Sequence, residues 1–416
     1  MRSLLIPLTA LLAAVLLLIS GNAFLMTLLG VRLNREGFDP AVIGWVQFCY
    51  SAGFVVGTLY ANRVITQVGH IRAFAVFAAT AACAALLHPL WVQTLWWSLL
   101  RLLSGVAMAG LLITIESWIS SRATSENRGV LFASYLVAFY LATAGGQLLM
   151  NLGDPLSFKL FSLVALLLTL ALIPVALTRL AAPPLEQLQH VPLRELLQRA
   201  PLAFGTAMIS GVVISAFYAI GPVYAELRGL SLAGLSAFMA ISVLAAMLFA
   251  WPVGLLCDRF ERRTVLMWLA LGAALGSIVT AIGGAFGLAP LLFGSALFMG
   301  LAAALYPVGV AILNDRIDSH QIVAASAGLL LAYGIGACLG PLLSAQLVSG
   351  FGAAALFLGN AVALLLLALL ARYWIAHVRP VPVAAQEHYI PTAPATSPVI
   401  TELDPRNPNP PGTSGE

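Results

Sequence analysis

Charge is scarce in this chain: its 416 residues include only twenty basic and sixteen acidic side chains, 9% of the total. A soluble globular domain carries roughly a quarter charged residues. So few ionised groups could not cover a water-facing surface, which leaves lipid as the solvent. Cysteine is equally sparse. Cys49, Cys83, Cys257 and Cys338 stand singly in or beside apolar runs, a pattern that offers neither metal-ligand spacing nor a disulfide framework and reads as small apolar packing. Lysine is almost missing, Lys159 being the single one beside nineteen arginines. Those arginines cluster in short segments between apolar stretches, as topology signals do, and form no nucleic-acid surface. No G-x-x-x-x-G-K-[ST] phosphate loop occurs and no soluble nucleotide domain fits, so ATP hydrolysis does not drive the process. No H-E-x-x-H and no carboxylate pair lies within an apolar run, and the six histidines, at 70, 88, 190, 320, 377 and 388, fall near run ends or between runs. An intramembrane enzyme is therefore disfavoured, and no cofactor or metal is expected.

What is present is hydrophobicity: 61% of the residues are hydrophobic and the mean hydropathy is +0.98. A membrane-crossing helix needs about 20 apolar residues. Twelve such runs are legible, at 4–31, 41–62, 72–92, 94–118, 130–151, 157–178, 202–226, 231–254, 264–286, 288–313, 321–348 and 351–375. The first begins with Arg2 and an apolar core but continues through Phe24, Leu25 and Leu29, too far for a secretion signal. Twelve spans put both termini on one side. Fifteen Lys/Arg residues share that side and four (Arg32, Arg35, Lys159, Arg228) lie opposite, with Arg101 left inside a span. The positive-inside rule then predicts cytoplasmic termini. The organisation expected is an N-terminal six-helix bundle (1–178), a cytoplasmic linker (179–201), a C-terminal six-helix bundle (202–375) and a disordered Pro-rich cytoplasmic tail (376–416).

The halves repeat. The turn around Gly37 and the turn around Gly229 are 192 residues apart, and the same offset carries Asn62–Arg72 onto Gly254–Thr264, in each case the connection between the second and third spans of a half. A fixed offset across two connections supports duplication of a six-helix unit. Gly254-Leu-Leu-Cys-Asp258-Arg259-Phe-Glu-Arg262-Arg263-Thr-Val-Leu266 resembles the G-x-L-x-D-R-x-G-R-R-x-x-L loop signature of the major facilitator superfamily, with Glu261 where glycine is usual. Arg101-Leu-Leu-Ser-Gly105 resembles its R-x-x-x-G motif, and Gly336-x-x-x-Gly340-Pro341 its Gly-Pro packing motif. The first-half connection departs from the pattern, keeping Gly69 and Arg72 but placing Thr66 and Gln67 where Asp and Arg are usual. The segments IESWIS, ENRGVLFASY, GQLL, ALYPVGVA and YGIGACLGP look similar to the bacterial YcaD-like branch. The resemblance covers about residues 10–375 and implies an all-α integral membrane protein of twelve transmembrane helices in two six-helix bundles.

Ionisable groups within a span face a cavity or a partner. Arg101 and Glu116 are the two, both in the fourth span and about 22 Å apart along its axis, too far for one ion pair. Arg101, in the outer half, reads as a fixed positive charge meeting solute, against helix packing through backbone carbonyls. Glu116, near the cytoplasmic end, reads as a structural ion pair with Arg128 or Arg63, against a titrating carboxylate. Asp258, Arg259, Arg262 and Arg263, with Gly254, read as a gating latch at one helix end. Neutral polar groups could line a solute path or join helices: Asn22, Gln47, Tyr50, Tyr135, Tyr140, Gln147, Tyr218, Tyr306, Tyr333 and Asn360. Gly105, Gly336, Gly340 and Pro341 read as helix packing and bending. The expected function is secondary transport of a small organic solute across a bacterial inner membrane by a monomer. Proton coupling is implied by the resemblance, and export is the expected direction. Uptake of a small anionic metabolite is the alternative, and a non-transporting membrane receptor or scaffold is the reading from another class.

Overall fold

The computed structural model describes residues 2–121, 123–124, 127–177, 197–198, 200–317, 322–383, 386 and 389. Most of the linker expected at 179–201 and the tail beyond 389 lie outside them. Among the described residues twelve helices are long and apolar enough to cross a membrane. They are α1 (Thr9–Arg35), α2 (Pro40–Val68), α3 (His70–Leu90), α4 (Thr94–Ser120), α5 (Arg128–Leu152), α6 (Phe158–Leu177), α7 (Pro201–Leu227), α8 (Leu232–Arg259), α9 (Arg262–Gly283), α10 (Leu288–Asn314), α11 (Ala325–Phe351) and α12 (Ala355–His377).

Local sequence explains where they begin. Asp39 precedes Pro40, and its Oδ1 accepts from the Ala41 N–H at 2.7 Å. Proline at the first helical position gives up a donor that would have no helical partner. At the matching position 192 residues on, Ser231 caps α8, its Oγ accepting from the Gly234 N–H at 3.1 Å. The turns before both caps pass through left-handed glycines, Gly37 at φ 82° and Gly229 at φ 72°, a region costly for any residue with a Cβ. The repeat read from sequence is thus a repeat of backbone conformation and cap chemistry.

The boundaries differ from the sequence expectation in one instructive way. Helices α2 and α8 run on to Val68 and Arg259, so the residues read as loops are helix ends. Polar side chains such as Asn62 and Arg63, or Asp258 and Arg259, stop a hydropathy count but not a helix, since their backbone hydrogen bonds are unaffected. The true connections are short. Gly69 alone, at φ 85°, separates α2 from α3, and Phe260 with Glu261 separates α8 from α9. Glu261 sits at φ −59°, ψ 121°, which any L-residue adopts. The departure from glycine at this position therefore needs no strain.

By packing, the chain divides into two compact units, one holding Met1–Arg35 and Trp45–Leu188, the other Glu36–Gly44 and Gln189–Pro394. In the first unit α1 packs on α5 and α6, and α3 on α4 and α6. In the second, α7 packs on α11 and α12, and α9 on α10 and α12. Adding six to each helix number converts one set into the other. The closest approaches are made by missing side chains. A Cβ on Gly105 would stand 2.2 Å from the Tyr50 carbonyl oxygen, and one on Gly53 2.1 Å from that of Leu102, so α2 and α4 cross backbone to backbone. In the second unit a Cβ on Gly336 would stand 2.0 Å from the Met208 carbonyl oxygen, and one on Gly340 2.3 Å from that of Val212. Small residues that admit such contact are how helices associate where lipid removes the hydrophobic drive. Pro341 lies one residue further along α11, inside the helix.

Candidate functional site

In the first unit a polar network surrounds Arg101, whose side chain is fully buried on α4. Its Nη2 donates to Gln47 Oε1 at 2.8 Å, and its guanidinium lies 4.1 Å from the centre of the Tyr50 ring. A desolvated cation over an aromatic face is held by the ring quadrupole, worth about 2 kcal/mol. The Tyr50 hydroxyl donates to Asn22 Oδ1 at 3.1 Å, and Gln47 Nε2 donates to the Met26 carbonyl at 3.2 Å. One turn of α1 thus orients both α2 side chains. Beside it, the Thr27 hydroxyl donates to Gln147 Oε1 on α5. Gln47 and Gln147 are both buried.

Among the described residues, three nitrogens of this network are buried without a partner: Arg101 Nε, Arg101 Nη1 and Gln147 Nε2. All three are donors. Buried polar groups are paired in the great majority of cases, so a site whose unmet groups are all N–H suits a guest offering oxygen acceptors.

The other sequence-selected residues fall elsewhere. Tyr140 packs on Phe139 with ring centres 6.1 Å apart, and no described hydrogen bond joins it to the Arg101 network. Tyr218 stacks edge-on against Phe217 on α7. Tyr306 and Tyr333 meet edge to face at 5.3 Å, in an apolar cluster with Ala203, Ala207, Val310 and Leu329. Asn360 is buried on α12. Glu116 is fully buried and accepts a hydrogen bond from the Tyr135 hydroxyl, a pairing across nineteen residues that sequence reasoning did not make. Arg128 begins α5.

A second cluster lies where α8 meets α9. Arg262 and Arg263 are buried. Arg262 pairs with Asp315, just past α10, and also donates to the Ala311 carbonyl at 3.3 Å. Arg263 pairs with Glu261 and donates through Nη1 to the carbonyls of Trp374, at 3.1 Å, and Val378, at 2.9 Å, at the end of α12. Glu261 also accepts from the Thr264 hydroxyl at 3.1 Å. The two arginines therefore tie α9 to α10 and α12 inside one unit. Burial, and then the nearby Arg263 charge, push the Arg316 guanidinium below its ordinary pKa, while Asp315 and Glu261 act in the other direction. Arg259 is exposed. Asp258 accepts from the Tyr389 N–H at 2.8 Å. Asp315 and Tyr389 were missed in sequence. Asp315 lies just beyond an apolar run with no motif around it, and Tyr389 is a lone aromatic in a Pro-rich stretch.

The profile of the Major Facilitator Superfamily matches residues 11–279 and 232–403. The chain belongs to that superfamily. It is 34% identical over 361 residues to the uncharacterized MFS-type transporter YcaD of Shigella flexneri, covering 85% of this chain and 91% of the relative. The corresponding protein of Escherichia coli K12 matches to the same extent. Among solved structures, the nucleoside transporter NupG superposes with a TM-score of 0.76 at 17% identity, over 88% of this chain and 99% of that one. A bacterial homolog of the human lysosomal transporter Spinster superposes at 0.72 and 14% identity, over 91% and 97%. At those identities the likeness is one of fold. The chain is a multi-pass membrane transporter of the YcaD-like branch, with the twelve-helix major facilitator fold.

Proposed function

We propose that this transporter exports a small oxygen-bearing organic solute across the bacterial inner membrane by alternating access, driven by the proton gradient, as a monomer with both termini cytoplasmic and without catalytic chemistry of its own. The observation that carries the solute class is the buried Arg101 guanidinium, two of whose donor nitrogens have no partner among the described residues. A fixed cation that no acid neutralises among its described partners favours a neutral or anionic guest over a cation. The Tyr50 ring covers the guanidinium, so solute reaches it when that ring swings aside. Uptake of a small anionic metabolite would use the same site, and the sign of flux under an imposed pH gradient separates the two directions. A receptor or scaffold would survive cysteine crosslinking of its cytoplasmic face, whereas a transporter would stop.

A thermal-shift screen of the purified protein against small organic acids, neutral sugars and organic cations tests the solute class. Acids or neutral oxygen-rich compounds should raise the melting temperature of the wild type and not of Arg101→Ala. Stabilisation of both proteins by organic cations alone would overturn the reading. Arg262 and Arg263, on the same view, keep the second bundle stiff during the exchange, and Asp258 is the adjustable member of the group, with Gly254 one turn before it.

A further inference from the structure

The segment after α12 has a composition that gives it no core of its own, with Pro380 and Pro382 close behind the helix end. Even so, Tyr389 is only 8% exposed. Its N–H donates to Asp258 Oδ1 at 2.8 Å. Its ring lies against Gly254, where an added Cβ would meet the ring's Cδ1 at 3.2 Å and Cε1 at 3.6 Å. Gly254 and Asp258 are four residues apart and so share one face of α8. The glycine leaves room for the ring while the carboxylate takes the amide. The segment is fixed upstream as well. Val378 gives its carbonyl to Arg263 at 2.9 Å, Gln386 Nε2 bonds back to the Val381 carbonyl at 3.3 Å, and Val381 and Gln386 line a cleft with Glu261, Arg263 and Arg316. Contacts at three separated points, all within the second unit, mark a seat and not a chance touch.

We infer that the end of α8 is a docking surface for the chain's own tail, with Tyr389 closing over Gly254 and Asp258. The bond is charge-assisted, an N–H to a carboxylate, and of the stronger kind. The tail competes for the side chain that the transport reading makes the adjustable one, and therefore biases the conformational equilibrium toward the state in which this seat is formed. That consequence rests on the transport reading; the docking itself does not.

Hydrogen exchange on the full-length protein in lipid nanodiscs, followed by mass spectrometry of the peptide containing Tyr389, tests the docking without any solute. The Tyr389 amide should exchange at least about tenfold more slowly than in the same peptide free in solution, and the protection should vanish in Asp258→Ala and in Gly254→Leu. Both variants are checked for an intact fold by their thermal midpoints. Free-peptide rates in the wild type, or protection unchanged in both variants, would overturn the docking. A chain ended after Arg379 keeps the Arg263 bonds to Trp374 and Val378 and tests the control. Its flux in proteoliposomes should differ from the full chain by about threefold or more. Equal flux in the two lengths would overturn the control while the exchange result still decides the docking. Absence of flux from both lengths would instead count against the transport reading.

Discussion

Arg101 is held by geometry as much as by charge, and that makes its substitutions informative. Lysine keeps the charge but cannot donate to Gln47 and lie flat beneath Tyr50 at once. Arg101→Lys should therefore lower solute flux at least about tenfold while the protein still inserts and purifies, and a wild-type rate would show the fork to be dispensable. Glu116 behaves differently, because its described contact is a hydroxyl from a neighbouring helix. Tyr135→Phe removes one hydrogen bond to a buried carboxylate, and the expected loss is about 1.5–3 kcal/mol of stability, read as a lower thermal midpoint with flux largely kept. Collapse of proton-driven flux with solute exchange preserved would instead make Glu116 the coupling group. Both residues were legible as unusual, since an ionisable side chain inside an apolar run stands out. Their partners were not. Gln47, Tyr50 and Tyr135 could be picked out as polar, but one sequence carries no cross-helix distances, so which of them meets Arg101 or Glu116 could not be read from it.

Among the helices, the crossings set by glycine are where substitution should tell most. Gly336→Leu would push a side chain into the Met208 carbonyl, which a built Cβ already approaches to 2.0 Å. Forcing α7 and α11 apart should cost about 1–3 kcal/mol or more and lower the melting temperature in detergent. Gly145→Ala is the matched control, for nothing lies within 4 Å of a Cβ there; it should be neutral or slightly stabilising by up to about 1 kcal/mol. Equal destabilisation by the two would mean that close approach of the backbones does not distinguish these sites. The spans were legible because hydropathy reports lipid contact directly. Their ends were not, because a charged side chain beyond the hydrocarbon leaves the helical backbone free to continue, as α8 does through Asp258 and Arg259.

At the level of the whole molecule, the fifteen-to-four distribution of Lys/Arg predicts that a green fluorescent protein fused after Arg379 lights up in the cytoplasm and that alkaline phosphatase at the same point stays inactive. An active phosphatase would reverse the orientation. The duplication was legible in outline from a single offset, and the structure extends it to the pairing of helices, but it also shows one point where the copies no longer match. Position 69 holds a left-handed backbone, φ 85°, while its counterpart 261 sits at φ −59°. Only glycine fits the first without cost, so that connection is closed to side-chain chemistry. The second accepts any residue, and already uses a glutamate to engage Arg263 and Thr264. Inherited variation is then tolerated unequally by two descendants of one ancestral segment, and new recognition between helices two and three of a half can arise in the C-terminal copy far more readily than in the N-terminal one.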